Sequence, residues 1–334
     1  MGMNRNMPRH SSILGERIPM QASPLISVVI PTYNSPDYLI QTLETVLAQT
    51  FTDFEIVIIN DGSTDNTAQR LEPYLKRIRL ITQSNGGIGA ARNRGIDAAR
   101  GKYVALLDHD DLWTPEKLQL QIAYFQKHPQ CSMVMTCFAE STRPDFPINA
   151  AVATHHDGLV TRPLGRFDHR KFLVMTSGIM FERERATGIR FATERDCIED
   201  QPFFLKMYPL GPVGVVGEAP LMIYRVHSGS YSRRPDFWFN GIKKLREMDR
   251  DGEFRNYSMD QRRDLDRFLA GISRLAATVQ LQSGRHEHAL ELFRREKIHW
   301  LRNGHWRFLT SFPFKLIACR MRIRRQNNQA RPRI

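Results

Sequence analysis

Short, uniformly apolar runs alternate with amphipathic segments along the first half of the chain. The runs lie at residues 25–30, 55–60, 78–82, 103–107 and 133–138. Such runs are typical of strands covered on both faces of a sheet. Between them, apolar residues recur at helical spacing, beginning near residues 36, 66, 88 and 114. The pattern therefore predicts four strand–helix units followed by a fifth strand.

This alternation predicts an α/β fold with a mostly parallel sheet, right-handed crossovers and helices on both faces. Ligands of such sheets bind at the carboxyl ends of the strands. Polar residues follow each of the first four strands: Thr32 and Asn34, then Asp61, then Asn85, then a cluster that begins at Asp108. We therefore expect these side chains to share one edge of the sheet.

The second half of the chain is less regular. Residues 139–170 have few apolar periods and predict an insertion or a flexible loop. Three elements are predicted next: a helix at 198–208 and strands at 213–216 and 221–226. The remainder is helical, with interruptions near Gly252, Gly284 and Gly304, and includes a predicted helical hairpin formed by 270–281 and 288–293.

Composition changes this picture little. Of the 334 residues, 41% are hydrophobic and 25% are charged, which is ordinary for a globular protein and argues against disorder of the whole. No stretch approaches the ~18 apolar residues of a membrane-spanning helix, and the first twenty residues lack the apolar core of a secretory signal. We expect a cytoplasmic protein whose four scattered cysteines are reduced and buried.

The positive charge is concentrated at the end of the chain. Residues 285–334 carry thirteen Arg or Lys against three Glu, whereas residues 25–284 are nearly neutral within a total of +13. Aromatic residues such as Trp306 and Phe314 are interleaved with these cations. The combination suits an anionic membrane surface and also a nucleic-acid backbone, and a solvated tail without a partner is a third possibility. We predict a disordered leader at 1–24, an α/β domain at 25–235 and a helical, basic region at 236–334.

The strongest chemical signal is Asp108-His109-Asp110-Asp111, directly after a buried strand. Three carboxylates in four residues repel one another and lose hydration in a cleft unless a cation compensates. In an extended segment Asp108 and Asp110 project to one face, which provides hard oxygen ligands for Mg²⁺ or Mn²⁺. An acidic turn in which Asp111 or Thr114 caps the next helix explains the same residues, so both interpretations stay open.

Two polar turns lie on the same predicted edge. Asp61 can accept a hydrogen bond from a nucleotide base or sugar, although Asn-Asp-Gly is also an ordinary turn. Asn85-Gly86-Gly87 places backbone amides and a helix start near Arg92, and all three features favour a diphosphate. A Gly-Gly turn alone gives the same pattern.

Two later motifs are less specific. Glu199-Asp200 begins a predicted helix, where carboxylates interact favourably with the helix dipole. One carboxylate facing a cleft could instead take a proton from a hydroxyl nucleophile. His227 follows a predicted strand, and a lone histidine is more often structural or exposed than a ligand.

Together these motifs resemble family 2 glycosyltransferases of the GT-A fold. The resemblance covers roughly residues 25–232. It is carried by Pro31-Thr32-Tyr33-Asn34, Asn60 to Asp65, Asn85-Gly86-Gly87 with Ala90, Arg92, Asn93 and Gly95, Asp108 to Asp111 with Trp113 and Pro115, Glu199-Asp200, and Tyr224 to His227. It implies a GT-A type, Rossmann-like, mostly parallel sheet, beyond which the C-terminal α-helical extension continues.

The resemblance also implies an activity and a set of site residues. It implies a metal-dependent, inverting transferase that moves a sugar from a nucleoside-diphosphate sugar, such as a UDP-sugar, to a glycan or lipid-linked acceptor in surface polysaccharide biosynthesis. The implied donor-binding residues are Pro31, Thr32, Tyr33, Asn34, Asp61, Asn85, Gly86, Arg92 and Asp108. Mn²⁺ or Mg²⁺ would be held among Asp108, Asp110, Asp111 and His227, and Asp200 would be the catalytic base. With the cationic end, the resemblance predicts a peripheral protein at the inner face of a bacterial membrane.

Two other classes of protein share some of these sequence features. A sugar nucleotidyltransferase uses a similar sheet, but it would place a glycine-rich loop with a basic residue after the first strand, and residues 31–35 contain neither. A nucleic-acid-binding protein would carry phosphate contacts over its body, whereas residues 25–284 are almost neutral. The sequence therefore favours the transferase and disfavours nucleic acid as a partner.

Overall fold

The structure is a computed structural model that describes residues 23–142, 158–162, 164, 175–195, 197–217, 219–227, 229 and 234–329. The predicted leader at 1–24 therefore lies outside the described residues, apart from its last two positions. Most of the predicted irregular segment at 139–170 lies outside them as well.

The described strands form one large and one small sheet. They are β1 (Ile26–Thr32), β2 (Phe54–Asn60), β3 (Arg79–Thr82), β4 (Tyr103–Leu106), β5 (Leu112–Trp113), β6 (Met133–Thr136), β7 (Phe138–Ser141), β8 (Gly158–Val160), β9 (Met180–Glu182), β10 (Val213–Val216) and β11 (Met222–Arg225). The large sheet has the order β3-β2-β1-β4-β9-β6-β10-β8, and the small one β5-β11-β7. In the large sheet only β9 and β8 run against their neighbours. The prediction of a mostly parallel sheet is confirmed.

Helices cover both faces of this sheet and continue beyond it. They are α1 (Pro36–Leu47), α2 (Thr67–Leu71), α3 (Ile88–Ala98), α4 (Lys117–Lys127), α5 (Gln201–Met207), α6 (Pro235–Arg250), α7 (Met259–Gln282), α8 (His286–Arg302) and α9 (Trp306–Gln329). The predicted breaks near Gly252, Gly284 and Gly304 fall between α6, α7, α8 and α9. The predicted hairpin is confirmed as part of the longer α7–α8 pair.

The buried side chains fall into two clusters on opposite faces of the sheet. Because successive side chains of a strand point to opposite faces, Val28 and Ile30 of β1 join α1 and α4 in one cluster, while Val29 faces the other. That second cluster continues through Phe203 of α5 into α6–α9. The C-terminal helices therefore share a continuous apolar interior with the sheet.

The structure corrects several predicted elements. The fifth predicted strand ends at Thr136, because the chain leaves the large sheet at Cys137 and enters the small one as β7. Residues 139–170 are not irregular throughout, since they include the end of β7 and all of β8. The helix predicted from 198 begins at Gln201. The helix predicted from 66 becomes a 3₁₀ turn after Leu71, where Pro73 cannot donate a helical hydrogen bond.

Two general expectations concern the cysteines and membrane-spanning helices. All four cysteines are buried, as predicted. Within the part of the chain that the structure describes, no helix is both long enough and apolar enough to cross a lipid bilayer.

Candidate functional site

The carboxyl ends of the first strands meet at one edge of the large sheet. Parallel register sets Thr32 opposite Asn60 and Asn60 opposite Thr82. The chain stays paired just beyond the strands, because the amide of Asp61 donates to the carbonyl of Thr32 at 2.9 Å. The expected convergence of the polar residues that follow these strands is therefore confirmed for β1, β2 and β3.

Asp61 is buried, and its carboxylate organises the turn that follows β3. It accepts hydrogen bonds from Gln83 Nε2 at 2.7 Å and from the amides of Gly86 and Gly87 at 2.9 and 2.8 Å. The two amides expected to meet a diphosphate are thus bonded to Asp61. The turn also requires glycine at Gly62, where φ is +77° and a Cβ would lie 2.9 Å from the amide nitrogen of Asn85.

The segment after β1 offers an aromatic ring and a buried hydroxyl. Tyr33 is exposed, whereas Thr32 is buried and its Oγ1 has no hydrogen-bond partner among the described residues. Asn34 takes the left-handed conformation, with φ of 47°. Its side chain accepts a hydrogen bond from the amide of Thr64 at 2.8 Å, which ties this segment to the end of β2. The carbonyl of Pro31 lies 3.3 Å from His109 Nδ1.

Arg92 is buried and bridges two carboxylates that are distant in sequence. It donates to Asp108 Oδ1 at 2.7 Å through Nη2 and to Glu199 Oε1 at 2.6 Å through Nη1. Burial would lower the pKa of Arg92, but the charges of Asp108 and Glu199 outweigh it and raise that pKa above its ordinary value. Arg92 therefore stays charged and holds the two carboxylates together. Its predicted place near a diphosphate stays a prediction.

The three aspartates of the strongest motif differ in their surroundings. The side chains of Asp108 and Asp110 are 21% and 19% exposed. Asp111 is buried, and its carboxylate accepts hydrogen bonds from the hydroxyl of Ser177 and from the amide of Arg225. Burial, followed by the charges of Asp110 and Asp108, raises the pKa of Asp111 well above its ordinary value. The carboxylate of Asp111 therefore faces the interior, and its share in a metal site stays a prediction.

Asp110 is held by a histidine. Asp110 Oδ2 lies 2.9 Å from His227 Nε2, and the His227 ring stacks on Tyr38 with ring centroids 4.9 Å apart. Burial pushes the pKa of Asp110 upward, but the hydrogen bond from His227 and the charge of His109 outweigh it, so that pKa is lowered. The carboxylate of Asp110 is therefore ionised and oriented.

These carboxylates fit a divalent ion in part. Among the described residues, no group of three or more His, Cys, Asp or Glu side chains is placed to hold a metal. Asp108 and Asp110 are partly exposed oxygen donors, however, and Mg²⁺ is usually bound by one or two carboxylates together with substrate phosphates and water. The donor set therefore fits an ion that arrives with a phosphate ligand.

Asp200 is a carboxylate whose pKa suits a general base. It immediately precedes α5, and its Oδ2 accepts a hydrogen bond from Thr176 Oγ1 at 3.3 Å. Burial and the neighbouring charge of Glu199 raise the pKa of Asp200 to about 7, against the opposing charge of Arg92. A carboxylate with such a pKa can accept a proton near neutral pH.

Glu199 and Asp200 reach this position because their segment packs closely on α3. The amide of Ala192 donates to the carbonyl of Glu199 at 3.0 Å, and a Cβ on Gly89 would lie only 1.8 Å from the carbonyl oxygen of Ala192. Glycine at position 89 therefore permits the approach. It brings the Glu199-Asp200 pair to the helix that carries Arg92.

Comparison with known sequences decides the family. The profile described as Glycosyl transferase family 2 matches residues 27–193, which is half of the chain. The chain belongs to glycosyltransferase family 2. Its first four motifs lie inside this match, while Glu199, Asp200 and His227 lie beyond it. The predicted family resemblance is confirmed.

Individual relatives of the chain are also named as glycosyltransferases. The chain is 33% identical over 151 residues to TuaG of Bacillus subtilis, a glycosyltransferase named for teichuronic acid biosynthesis, and this alignment covers 42% of the chain and 60% of TuaG. The chain spans between about a third and two thirds of the length of the curated relatives it matches.

Solved structures agree in fold. Staphylococcus aureus TarS 1–349 in complex with UDP-GlcNAc superposes with a TM-score of 0.56 at 19% identity, covering 84% of this chain and 92% of that one. The mannosyltransferase PcManGT of Pyrobaculum calidifontis, in complex with GDP-Man and Mn²⁺, gives 0.53 at 18% identity, covering 90% and 86%. The predicted GT-A type fold is confirmed.

Three residues outside the predicted site set hold the family 2 motifs in place. Ser177 donates to Asp111 and accepts the amide of Asp108, and Arg225 reaches the carbonyl of Asp110. Arg195, an exposed cation, donates to Asn85 Oδ1 at 2.8 Å. In the sequence, Arg225 lies within the Tyr224–His227 motif and Arg195 lies near Glu199, but Ser177 had no signal.

Proposed function

We propose that this protein is an inverting glycosyltransferase that moves a sugar from a UDP-sugar, or another nucleoside-diphosphate sugar, to a hydroxyl of a glycan or lipid-linked acceptor. The observation that carries the proposal is the contact chain in which buried Arg92 joins Asp108 to Glu199, beside Asp200. The UDP-GlcNAc complex of TarS and the name of TuaG support a UDP-sugar and surface polysaccharide biosynthesis. The complex of PcManGT with GDP-Man keeps GDP-sugars among the donors to test.

The donor would bind along the sheet edge. The exposed ring of Tyr33 suits stacking on a base, and the unpartnered Oγ1 of Thr32 suits a polar group of the nucleoside. Asp61, Asn85 and Gly86 shape that edge through the turn they form, with Pro31 and Asn34 fixing the segment after β1. Arg195, which contacts Asn85 at this edge, would be a cation for the diphosphate.

Asp108 and Asp110 would hold Mn²⁺ or Mg²⁺. Such an ion supplies charge neutralisation for the departing nucleoside diphosphate. His227 orients Asp110 through its hydrogen bond, as a supporting partner does for a metal-bound carboxylate. Asp111 supports the same turn from the interior.

Asp200 would act as the base. The carboxylate takes the proton of the acceptor hydroxyl while the acceptor oxygen forms a bond to the anomeric carbon. The bond from that carbon to the diphosphate oxygen breaks on the opposite face, and its electron pair leaves with the nucleoside diphosphate. One displacement of this kind inverts the configuration. Arg92 acts as a positioning residue for Asp108 and for the segment of Asp200.

A donor screen tests the proposed function. Release of nucleoside diphosphate by the full chain is measured with UDP-, GDP- and dTDP-sugars in the presence of Mn²⁺, Mg²⁺ or a chelator. We expect release with one nucleotide class, loss of release with the chelator, and loss in Asp110→Asn with an unchanged unfolding curve. Asp53→Asn, at an exposed position at the opposite end of β2 from Asp61, is the matched control. Undiminished turnover in the chelator would overturn the metal assignment.

A further inference from the structure

Helix α9 has two apolar faces, of which the protein buries one. Phe308, Phe312 and Cys319 recur at helical spacing and are buried in the core. Four large apolar side chains on the other side are exposed: Trp306 by 56%, Phe314 by 74%, Ile317 by 55% and Met321 by 52%. The outward face of a helix packed on a globular core is ordinarily polar. The apolar stripe of these four residues therefore needs a partner.

The charge around this stripe has one sign. Residues 306–329 contain six cations and no carboxylate; the cations are Arg307, Lys315, Arg320, Arg322, Arg324 and Arg325. Positions advance by ~100° per residue around a helix, which sets Arg320 on one side of the stripe and Arg307 and Arg322 on the other. The guanidinium of Arg307 also lies 5.2 Å from the centre of the Trp306 ring. An apolar stripe flanked by cations is complementary to a partner with an apolar interior and a negatively charged surface.

We propose that α9 binds an anionic lipid bilayer, with Trp306, Phe314, Ile317 and Met321 inserted among the headgroups and the flanking arginines on lipid phosphates. This inference rests on the proposed function, which it deepens by naming the surface on which the enzyme meets a lipid-linked acceptor. A second copy of the chain is disfavoured as occupant, because pairing two such faces brings cations against cations. A nucleic acid would use the cations and leave the apolar stripe without a role.

The experiment measures binding of the full chain to phosphatidylcholine vesicles with and without phosphatidylglycerol. One variant, Phe314→Ser/Ile317→Ser/Met321→Ser, removes apolar contacts, and another, Arg307→Gln/Arg320→Gln/Arg322→Gln, removes charge. A matched control, Leu75→Ser/Lys76→Gln/Arg77→Gln, changes an exposed leucine and two exposed cations at the end of the 3₁₀ turn after α2. All substituted side chains are exposed, so folding is expected to be preserved.

We expect the protein and the control to prefer the anionic vesicles. The serine variant should bind at least about 30-fold more weakly, since each partly inserted side chain contributes on the order of several-fold. The glutamine variant should lose about fivefold per cation on anionic vesicles and little on neutral ones. Equal binding to both vesicle types, or unchanged binding by the serine variant, would overturn the proposal, as would RNA binding tighter than vesicle binding.

Donor turnover without vesicles separates the two proposals. It should be the same in all these variants, because none of the substituted residues lies in the donor site. Turnover without vesicle binding overturns only the bilayer surface. Vesicle binding without turnover of any donor overturns only the proposed function.

Discussion

Two buried arginines, one at the candidate site and one in the helical extension, are each held between carboxylates, but in different surroundings. Arg92 is held between Asp108 and Glu199, and Arg246 of α6 between Glu296 of α8 and Asp266 of α7. In each case a guanidinium joins carboxylates from separate elements. The arrangements differ in how completely the remaining polar atoms are paired.

The helical cluster is paired on every side. Arg246 uses Nε, Nη1 and Nη2, and Asp266 also accepts from Asn303 at 2.8 Å and lies 2.7 Å from His299 Nδ1. Burial alone would raise the pKa of Asp266, but the hydrogen bonds to Asn303 and His299 outweigh it, so the pKa is lowered. A fully paired network of this kind stabilises one packing of the helices.

The site cluster is left incomplete. Within the described residues, Arg92 Nε and Glu199 Oε2 are buried without a hydrogen-bond partner, and burial raises the pKa of the neighbouring Asp200 to about 7. Buried polar groups are rarely left unpaired unless a ligand or a reaction uses the site. The difference supports the proposal that the Arg92 cluster takes part in the reaction and that the Arg246 cluster is structural.

The largest expected effect belongs to Asp200. Asp200→Asn should lower the transfer rate by a factor of about 10²–10⁴ because an amide cannot accept the acceptor proton. The wild-type rate should rise with pH through about 7 and then level off, following the raised pKa of Asp200. The check is a pH–rate profile, with Asp266→Asn as the partner variant; equal losses in both would contradict the contrast between the clusters.

The same carboxyl predicts a pH dependence of stability. The folded state keeps the Asp200 proton up to about pH 7, whereas the unfolded chain releases it near ~3.9. The folded state therefore binds more protons in that window, and this group makes the free energy of unfolding fall as the pH rises from about 4 to 7. Urea unfolding of wild type and Asp200→Asn across this window should show that the substitution removes this component.

The two arginines should separate stability from activity. Arg246→Met leaves buried Glu296 without its cation and should reduce the free energy of unfolding by about 3–5 kcal/mol, with unchanged turnover per folded molecule. Arg92→Met should lower turnover at least about 100-fold. It should also move the pH midpoint upward, because the charge of Arg92 lowers the pKa of Asp200. An unchanged pH midpoint in Arg92→Met would reduce Arg92 to a structural role.

Two buried serines, one at the candidate site and one in the helical extension, also allow effects on stability and on turnover to be compared. Ser177 pairs with Asp111 and the Asp108 amide, and Ser273 accepts from Trp300 Nε1 at 2.7 Å. Ser273→Ala should cost about 1–2 kcal/mol of unfolding free energy and leave turnover unchanged. Ser177→Ala should cost about the same and also lower turnover at least tenfold, because the Asp108 turn loses its support. Thermal unfolding and donor release measured on the same samples check both.

The smallest effect concerns Lys117, a lysine buried without a carboxylate partner among the described residues. Its Nζ lies 3.5 Å from the centre of the Trp113 ring and has no hydrogen-bond partner among the described residues. Burial lowers its pKa well below the ordinary value, so the unfolded state binds the extra proton and stability should rise with pH toward ~10.4. Lys117→Met should raise the unfolding free energy at neutral pH by about 1–2 kcal/mol. Denaturant titrations at pH 7 and 9 measure this, and a less stable variant would contradict it.

Local sequence patterns predicted most of the helices and strands. For the site, they predicted where the residues lie in the fold but not what their side chains contact. The strand–helix units depend on periodicity over a few residues, and β10 matches its predicted bounds of 213–216. The contacts of Arg92 depend on Glu199, 107 residues away, and the inward turn of Asp111 depends on Ser177. Such orientations are set by packing between distant segments, so the buried partners of Arg92 and Asp111 could not be predicted from local patterns.

The antiparallel strand β9 has a consequence for how the protein is made. It lies between β4 and β6, so among the described strands the two blocks of the large sheet are joined by residues 180–182. While a ribosome is still synthesising the preceding segment, β4 and β6 each present an unprotected hydrogen-bonding edge of the kind that recruits other chains. The nascent polypeptide should therefore depend on chaperones until this late insertion closes the gap.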